Sequence, residues 1–141
     1  MSHILLSIDM LDLKFHHIGY AVKNIDQTSA FYLKQGWKIT QQVIDPIQNT
    51  KIAFLSKEDF PLIELVAPID EQSPVVKTLG KVGVCPYHIC YSVDDIEQTI
   101  LELRKDKFIV LFQPVKAVAL NNKLICYLYN TNVGLLELVE E

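Results

Sequence analysis

At 141 residues, with 50% hydrophobic and 21% charged side chains, the chain has the length of about one ordinary domain and enough apolar material for a packed interior, which excludes a disordered tail. A net charge of -4 excludes nucleic acid as a general partner, because there is no basic excess to neutralise phosphates, yet it leaves room for a small anionic substrate held by a metal. The three cysteines, Cys85, Cys90 and Cys126, form no CxxC pair, so they read as small apolar core residues in a reducing cytosol rather than as ligands or disulfides.

Ile4 to Ile8 is apolar but too short to span a bilayer, and Asp9 and Asp12 follow closely. Neither an export signal nor a membrane anchor is expected, residues 1–9 read as a peripheral extension, and His3 is isolated. Phe15 to Val22 alternates, predicting a strand with Ile18, Tyr20 and Val22 on one face and His17, Gly19 and Ala21 on the other. Apart from its histidine that second face is small, so His17 looks into a concavity. His16, one residue off in the alternation, is assigned to the helix-covered face or to solvent.

Asn24-Ile25-Asp26-Gln27 opens a helix with Ile25, Ala30, Phe31 and Leu33 on its apolar face and Gly36 as its C-cap. Strands follow at about 37–44, 50–56 and 61–67. Asp70 to Pro74 reads as a turn into a short linker helix, Val75 to Leu79, closed near Gly80. The pattern then starts again. A strand puts His88, Cys90 and Ser92 opposite Ile89, Tyr91 and Val93, and a helix opens at Asp94-Asp95-Ile96-Glu97 with Ile96, Ile100, Leu101 and Leu103 on its apolar face. Strands at about 108–112, 123–129 and 134–140 complete the second copy.

The recurrence is visible residue by residue. His17-Ile18-Gly19-Tyr20-Ala21-Val22 returns as His88-Ile89-Cys90-Tyr91-Ser92-Val93, and Ile63-Glu64-Leu65-Val66 returns as Leu136-Glu137-Leu138-Val139. The first pair is 71 residues apart and the second 73, so a two-residue insertion lies in a loop between the blocks. The organisation is two βαβββ modules within a single domain 1–141: module one about 13–68, a linker helix about 70–82 and module two about 84–140. No glycine-rich phosphate loop or nucleophile elbow is present, which removes the common nucleotide-binding and serine-hydrolase readings.

Glu64 and Glu137 each interrupt a strand that otherwise belongs in an interior. An unpaired ionised carboxylate costs several kcal/mol, roughly, to bury, so these two are paired, protonated, metal-bound or on edge strands facing water. A single strand histidine is most simply a hydrogen-bonded imidazole. Two equivalent histidines with two equivalent glutamates point instead to one shared site for a divalent first-row ion, because imidazole nitrogen with carboxylate oxygen suits such ions.

The blocks His17 to Val22, Phe31-Tyr32, Ile63-Glu64-Leu65-Val66-Ala67-Pro68, Ser73-Pro74, His88-Ile89, Val93-Asp94-Asp95-Ile96 and Leu136-Glu137-Leu138 together resemble the vicinal-oxygen-chelate superfamily, which includes the glyoxalases. Within it they are most similar to the methylmalonyl-CoA epimerases. The resemblance implies an α+β fold, two tandem βαβββ modules forming a curved mixed sheet around a central metal-binding cavity. It also implies the metal ligands His17, Glu64, His88 and Glu137, with no further cofactor site, and a divalent ion such as Co, Ni, Zn, Mn or Mg. The activity implied is proton abstraction and return beside a carbonyl through a metal-stabilised enolate, with Glu64 and Glu137 as the catalytic candidates. The partners implied are a small-molecule substrate, an acyl-CoA or other thioester, and a second copy in a homodimer, with no nucleic acid and no membrane.

Two features separate this chain from the epimerase pattern. Epimerases carry Gln or Glu where Glu64 stands, and two His with two Glu is also similar to the glyoxalase I ligand set. The segment Lys116 to Asn122 lacks the glycines and the basic or His residue usual there, and the first hairpin offers only Asp45, beside Pro46, as an acid outside the ligand set. The alternatives are therefore a glyoxalase I-like lactoylglutathione lyase and a metal-free small-ligand binding protein of the same fold.

Overall fold

The computed structural model describes residues 10–141, so the expected extension 1–9 and His3 lie outside it. Its elements run β1 (Lys14–Ala21), α1 (Ile25–Leu33), β2 (Lys38–Ile39), β3 (Val43–Asp45), β4 (Thr50–Ser56), β5 (Ile63–Pro68), α2 (Val75–Lys81), β6 (Cys85–Val93), α3 (Ile96–Lys105), β7 (Ile109–Val110), β8 (Val115–Ala117), a 3-10 turn (Val118–Leu120), β9 (Lys123–Asn130) and β10 (Gly134–Glu140). The strands make one curved mixed sheet in the order β2-β4-β5-β1-β6-β10-β9-β7, with β3 beside β4 and β8 beside β9. The order is a palindrome of modules: β1 and β6 pair antiparallel at the centre, flanked by their parallel partners β5 and β10.

The helix starts follow from local chemistry. The Asn24 side chain accepts from Gln27 N, and Asp95 accepts from Gln98 N, each satisfying an amide that the first helical turn leaves free. Glu140 at the end of β10 accepts from Ile96 N, tying α3 to its own module. Burial on α1 falls on Ile25 and Ser29, with Tyr32 packed behind them, at helical spacing. Phe31 and Leu33, expected on that face, point outward because they lie about 100° to either side of Tyr32. On α3, Ile96, Ile100 and Leu103 are buried as expected, while Leu101 is exposed for the same reason.

Each predicted second strand is broken. Ile39 faces Leu55 but Val43 faces Ile52, so four steps on one strand match three on the other. The Thr40 hydroxyl takes the Phe54 amide at the break, replacing a backbone acceptor. In module two the gap between Val110 and Val115 is wider, and Pro114, without an amide proton, stands inside it. Residues 118–120, read from the sequence as loop, form a 3-10 turn ended by Asn121 and Asn122 in the left-handed region.

Helices α1 and α3 cover the convex face, each over its own module: Val22, Ile25, Trp37, Leu55 and Leu65 under α1, and Val93, Ile96, Leu128, Leu136 and Leu138 under α3. Buried apolar residues on the concave face are fewer, Cys90, Ala117, Leu120, Ile125 and Val139 on one side and Ala21, Ile52, Val66 and Val75 on the other. The concavity between them holds the buried side chains of His17, Glu64, His88 and Glu137. Among the described residues no helix is long and apolar enough to cross a membrane.

Candidate metal centre

Strand register places the four sequence-derived residues in two rows across the sheet. One row reads Phe54, Glu64, Gly19, His88 on β4, β5, β1 and β6, and the other reads Tyr127, Glu137, Cys90, His17 on β9, β10, β6 and β1. The rows are related by the module duplication. In each, a glutamate and a histidine flank a small residue, Gly19 or Cys90, so both long side chains can lean across the gap and meet.

They do meet. Glu137 Oε1 lies 3.0 Å from both His17 Nε2 and His88 Nε2, Glu64 Oε1 lies 3.5 and 3.4 Å from the same two atoms, and the two Nε2 atoms are 3.3 Å apart. All four residues are buried, at 0 to 4% exposure. The expectation that Glu64 and Glu137 face an interior rather than solvent is met by the geometry. Gly19 shows why one row needs a glycine: a Cβ there would fall 1.9 Å from His88 Cε1.

Despite these short separations, Glu137 Oε1 has no hydrogen bond, because no ring N–H is directed at it. The two Nε2 atoms share a hydrogen bond, and four buried ligand atoms gathered this closely, one of them unpartnered, make the pattern of an ion site. Metal–ligand distances of about 2.0–2.2 Å set neighbouring ligand atoms roughly 3.0–3.5 Å apart, which is the spacing found. The residues present therefore fit a divalent ion in donor chemistry, burial and separation.

Without an ion the cluster is an ionic knot. Burial alone would lower the His17 imidazole, but the carboxylates of Glu137 and Glu64 overcome it and push it up to about 10. His88 is raised against the same burial by the same two acids. Burial would raise Glu64, and the two imidazoles, His17 first, hold it down at about 2. Glu137 is also lowered, although both burial and the charge of Glu64 work the other way.

Aromatic rings wall the centre. His17 meets Phe54 edge-on at 5.6 Å, and His88 lies between Tyr87 at 4.5 Å and Tyr127 at 5.2 Å. Burial, then the nearby carboxylates, raises both tyrosines well above the ordinary phenol range, so their hydroxyls remain proton-bearing. The same two tyrosines line a cavity of about 540 Å³ whose other walls include Ile47, Val75, Leu111, Phe112, Val115 and Leu135. Thr50 also lines it, 5% exposed and with its hydroxyl unpartnered. A mostly apolar chamber with a few polar groups, opening beside an ionic cluster, has the make-up of a small-molecule site.

One placement corrects the sequence reading. His16 is on neither the helix-covered face nor in open solvent: its Nδ1 is 2.8 Å from His17 Nδ1, and its other nitrogen faces Glu141 at 3.5 Å. The cause is a bulge, since Phe15 pairs with Tyr91 and His17 with the adjacent Cys90, leaving His16 unpaired and turned to the side of His17. Burial, then His17, lowers its pKa. Asp45 is buried but committed, accepting from the amides of Ile47 and Gln48 and from the Gln48 side chain. The cysteines are free, and Cys90 and Cys126 are core residues as expected. Burial, then Glu137, drives the Cys90 thiol far up, which keeps it protonated. Sequence reasoning missed Tyr87 and Tyr127 as walls, although the 71-residue shift aligns Tyr87 with His16 and the 73-residue shift aligns Tyr127 with Phe54.

Residues 15–127 match the family described as the Glyoxalase/Bleomycin resistance protein/Dioxygenase superfamily. The chain belongs to that superfamily. Among curated relatives of this glyoxalase-superfamily chain, the mitochondrial methylmalonyl-CoA epimerase of Homo sapiens is 28% identical over 124 residues, 86% of this chain and 69% of that one. Among solved structures, a hypothetical protein from Bacillus halodurans C-125 is 30% identical, with a TM-score of 0.82 over 93% of this chain and 96% of that one. A Streptomyces coelicolor methylmalonyl-CoA epimerase variant in complex with 2-nitronate-propionyl-CoA is 25% identical, with a TM-score of 0.78 over 91% of this chain and 96% of that one. Two of these three relatives are methylmalonyl-CoA epimerases, which are isomerases, and this superfamily member is an enzyme.

Proposed function

We propose that the chain is a metal-dependent isomerase of the methylmalonyl-CoA epimerase type, with His17, Glu64, His88 and Glu137 holding one divalent ion, drawn from Co, Ni, Zn, Mn and Mg. The observation that carries this reading is the convergence of four buried donor atoms at ligand spacing, the orphaned Glu137 Oε1 among them. The epimerase relatives supply the substrate class, a thioester of coenzyme A bearing an acidic carbon between two carbonyls.

When bound, the ion would supply positive charge that polarises substrate oxygens and makes the carbon between them easier to deprotonate. The proton itself is the work of side chains. Glu64 on β5 and Glu137 on β10 approach from opposite flanks of the β1–β6 pair, so removal on one face and return on the other would invert the carbon. The imidazoles hold Glu137 down against both its burial and the charge of Glu64. Apolar walls of the cavity hold the acyl part and keep bulk water from the exposed carbanion.

The test is hydrogen exchange in D2O at the carbon between the carbonyls of methylmalonyl-CoA, with divalent ion in excess. Exchange that depends on the ion and disappears in Glu137→Gln is the expected result, and no exchange under any ion defeats the reading. Glyoxalase-type isomerisation of a hemithioacetal is the second reading, favoured by one observation: among the described residues no buried acid beyond the two glutamates is free to act, since Asp45 is held in its turn. Turnover of the glutathione hemithioacetal of methylglyoxal without methylmalonyl-CoA exchange establishes that reading instead.

The reading includes a reducing compartment such as the cytosol, supported by three free cysteines. It also includes a homodimer, as the family resemblance implies. Sedimentation velocity decides the latter.

A further inference from the structure

We propose that His16 is the positioning residue for His17, accepting the Nδ1 proton of that imidazole so that its Nε2 lone pair is fixed toward the ion centre. This rests on the metal reading given above.

Each central strand carries one bulge. In β1 the unpaired residue is His16, and in β6 it is Tyr87, since Gly19 pairs with His88 but Tyr20 pairs with Pro86. The two positions are 71 residues apart and equivalent in the duplication. A bulge puts two consecutive side chains on one side of a sheet, so each ion-facing histidine has its preceding residue beside it. The two copies use that neighbour differently. Tyr87 lies edge-on to the His88 ring, and His88 Nδ1 is buried with no partner. His16 instead brings its Nδ1 to 2.8 Å from His17 Nδ1.

With an ion on His17 Nε2, one proton arrangement fits the contacts along this line. For His17 Nε2 to offer a lone pair, its proton must sit on Nδ1, which then donates to His16 Nδ1. His16 must carry its own proton on Nε2, and that nitrogen faces Glu141 Oε1 at 3.5 Å. Glu141 is in turn held by Lys123. The line from Lys123 through Glu141 and His16 to His17 thus runs from the surface to the buried centre. An imidazole that ligates through one nitrogen is oriented by what its other nitrogen meets, and loss of such a partner typically costs 10- to 100-fold in metal affinity. His88, lacking this partner, is held by packing: Tyr87 and Tyr127 flank the ring and Gly19 lies beneath it.

The experiment titrates metal-free protein with Co2+ against a competing chelator, and records the histidine N–H resonances of Zn2+-loaded protein labelled with 15N. Wild type should bind one equivalent and show a slowly exchanging His17 Nδ1–H. His16→Ala and His16→Phe should each bind Co2+ about 10- to 100-fold more weakly and lose that resonance. His16→Gln, whose amide oxygen can accept the same proton, should recover most of the affinity. The Phe variant separates positioning from packing, because it keeps a ring in place and offers no acceptor. Co2+ affinity equal to wild type in His16→Phe overturns the proposal. So does a second equivalent of Co2+ that vanishes in Cys90→Ala, since His16, His17 and Cys90 would then themselves hold an ion. Wild-type protein that binds no Co2+ overturns the metal reading as well, which distinguishes the two failures.

Discussion

Gly19 lies directly beneath the imidazole of His88, so close that a Cβ at position 19 would come within 1.9 Å of the ring. Its backbone is ordinary extended strand, and the glycine is needed for space rather than for conformation. Gly19→Ala should therefore lower stability by about 1–3 kcal/mol through overpacking and displace His88 from its shared centre. Thermal denaturation should show the loss, and a Co2+ competition titration should show at least about tenfold weaker binding, because a ligand misplaced by an ångström no longer shares the centre.

Protonation of the metal-free centre should shape its stability on both sides of neutrality. Glu64 is held at about 2 against an ordinary 4.5, so its contribution is present above pH 4.5 and lost as pH falls toward 2. His17 is raised to about 10 against an ordinary 6.5, so its contribution is complete below pH 6.5 and lost as pH rises through about 10. Urea denaturation of metal-free protein across this range should find the cluster's stabilisation greatest between about pH 4.5 and 6.5, declining in both directions. In Glu64→Leu the acid limb should flatten. A wild-type profile that keeps rising from pH 7 to 10 contradicts the ionic knot.

The modules, their order and the four converging residues were legible in the sequence because duplication converts weak local signals into paired ones: Glu64 alone is an anomaly in a strand, whereas Glu64 with Glu137 is a pattern. The side His16 takes was not legible. Alternation assumes an unbroken ladder, and the bulge that turns His16 beside His17 depends on pairing with β6, more than 70 residues away. The same limit hid the two breaks near Thr40 and Pro114, where partner strands decide which residues stay in register. Phe31, Leu33 and Leu101 were misplaced for a different reason: hydrophobicity nominated them, and helical phase relative to the sheet turned them outward.

The two glutamates should separate when each is made an amide. Glutamine keeps an oxygen able to ligate but cannot take a proton, and the epimerase pattern accepts Gln at the position of Glu64. Glu64→Gln should therefore retain ion binding and methylmalonyl-CoA exchange within about tenfold. Glu137→Gln should lose exchange by about 10²- to 10⁴-fold, the usual range for a removed general base. Single-turnover exchange at saturating ion measures the difference directly, and equal losses in the two variants would mean that solvent exchange, like inversion, needs both carboxylates.

Removing the ion should cost stability as well as activity, because the centre ties β1, β5, β6 and β10 together at the middle of the sheet. Binding to the folded state alone stabilises it by about 2.7 kcal/mol when free ion is at 100 times Kd. For a chain of this size that corresponds to several degrees in Tm, measured by calorimetry before and after chelation. The rise on readdition should grow with pH from 6 to 8, since ligation requires His17 and His88 without the protons that both carboxylates favour in the metal-free state. A His88→Ala variant should show no such rise, whereas an ion effect that survives His88→Ala would place the cation elsewhere.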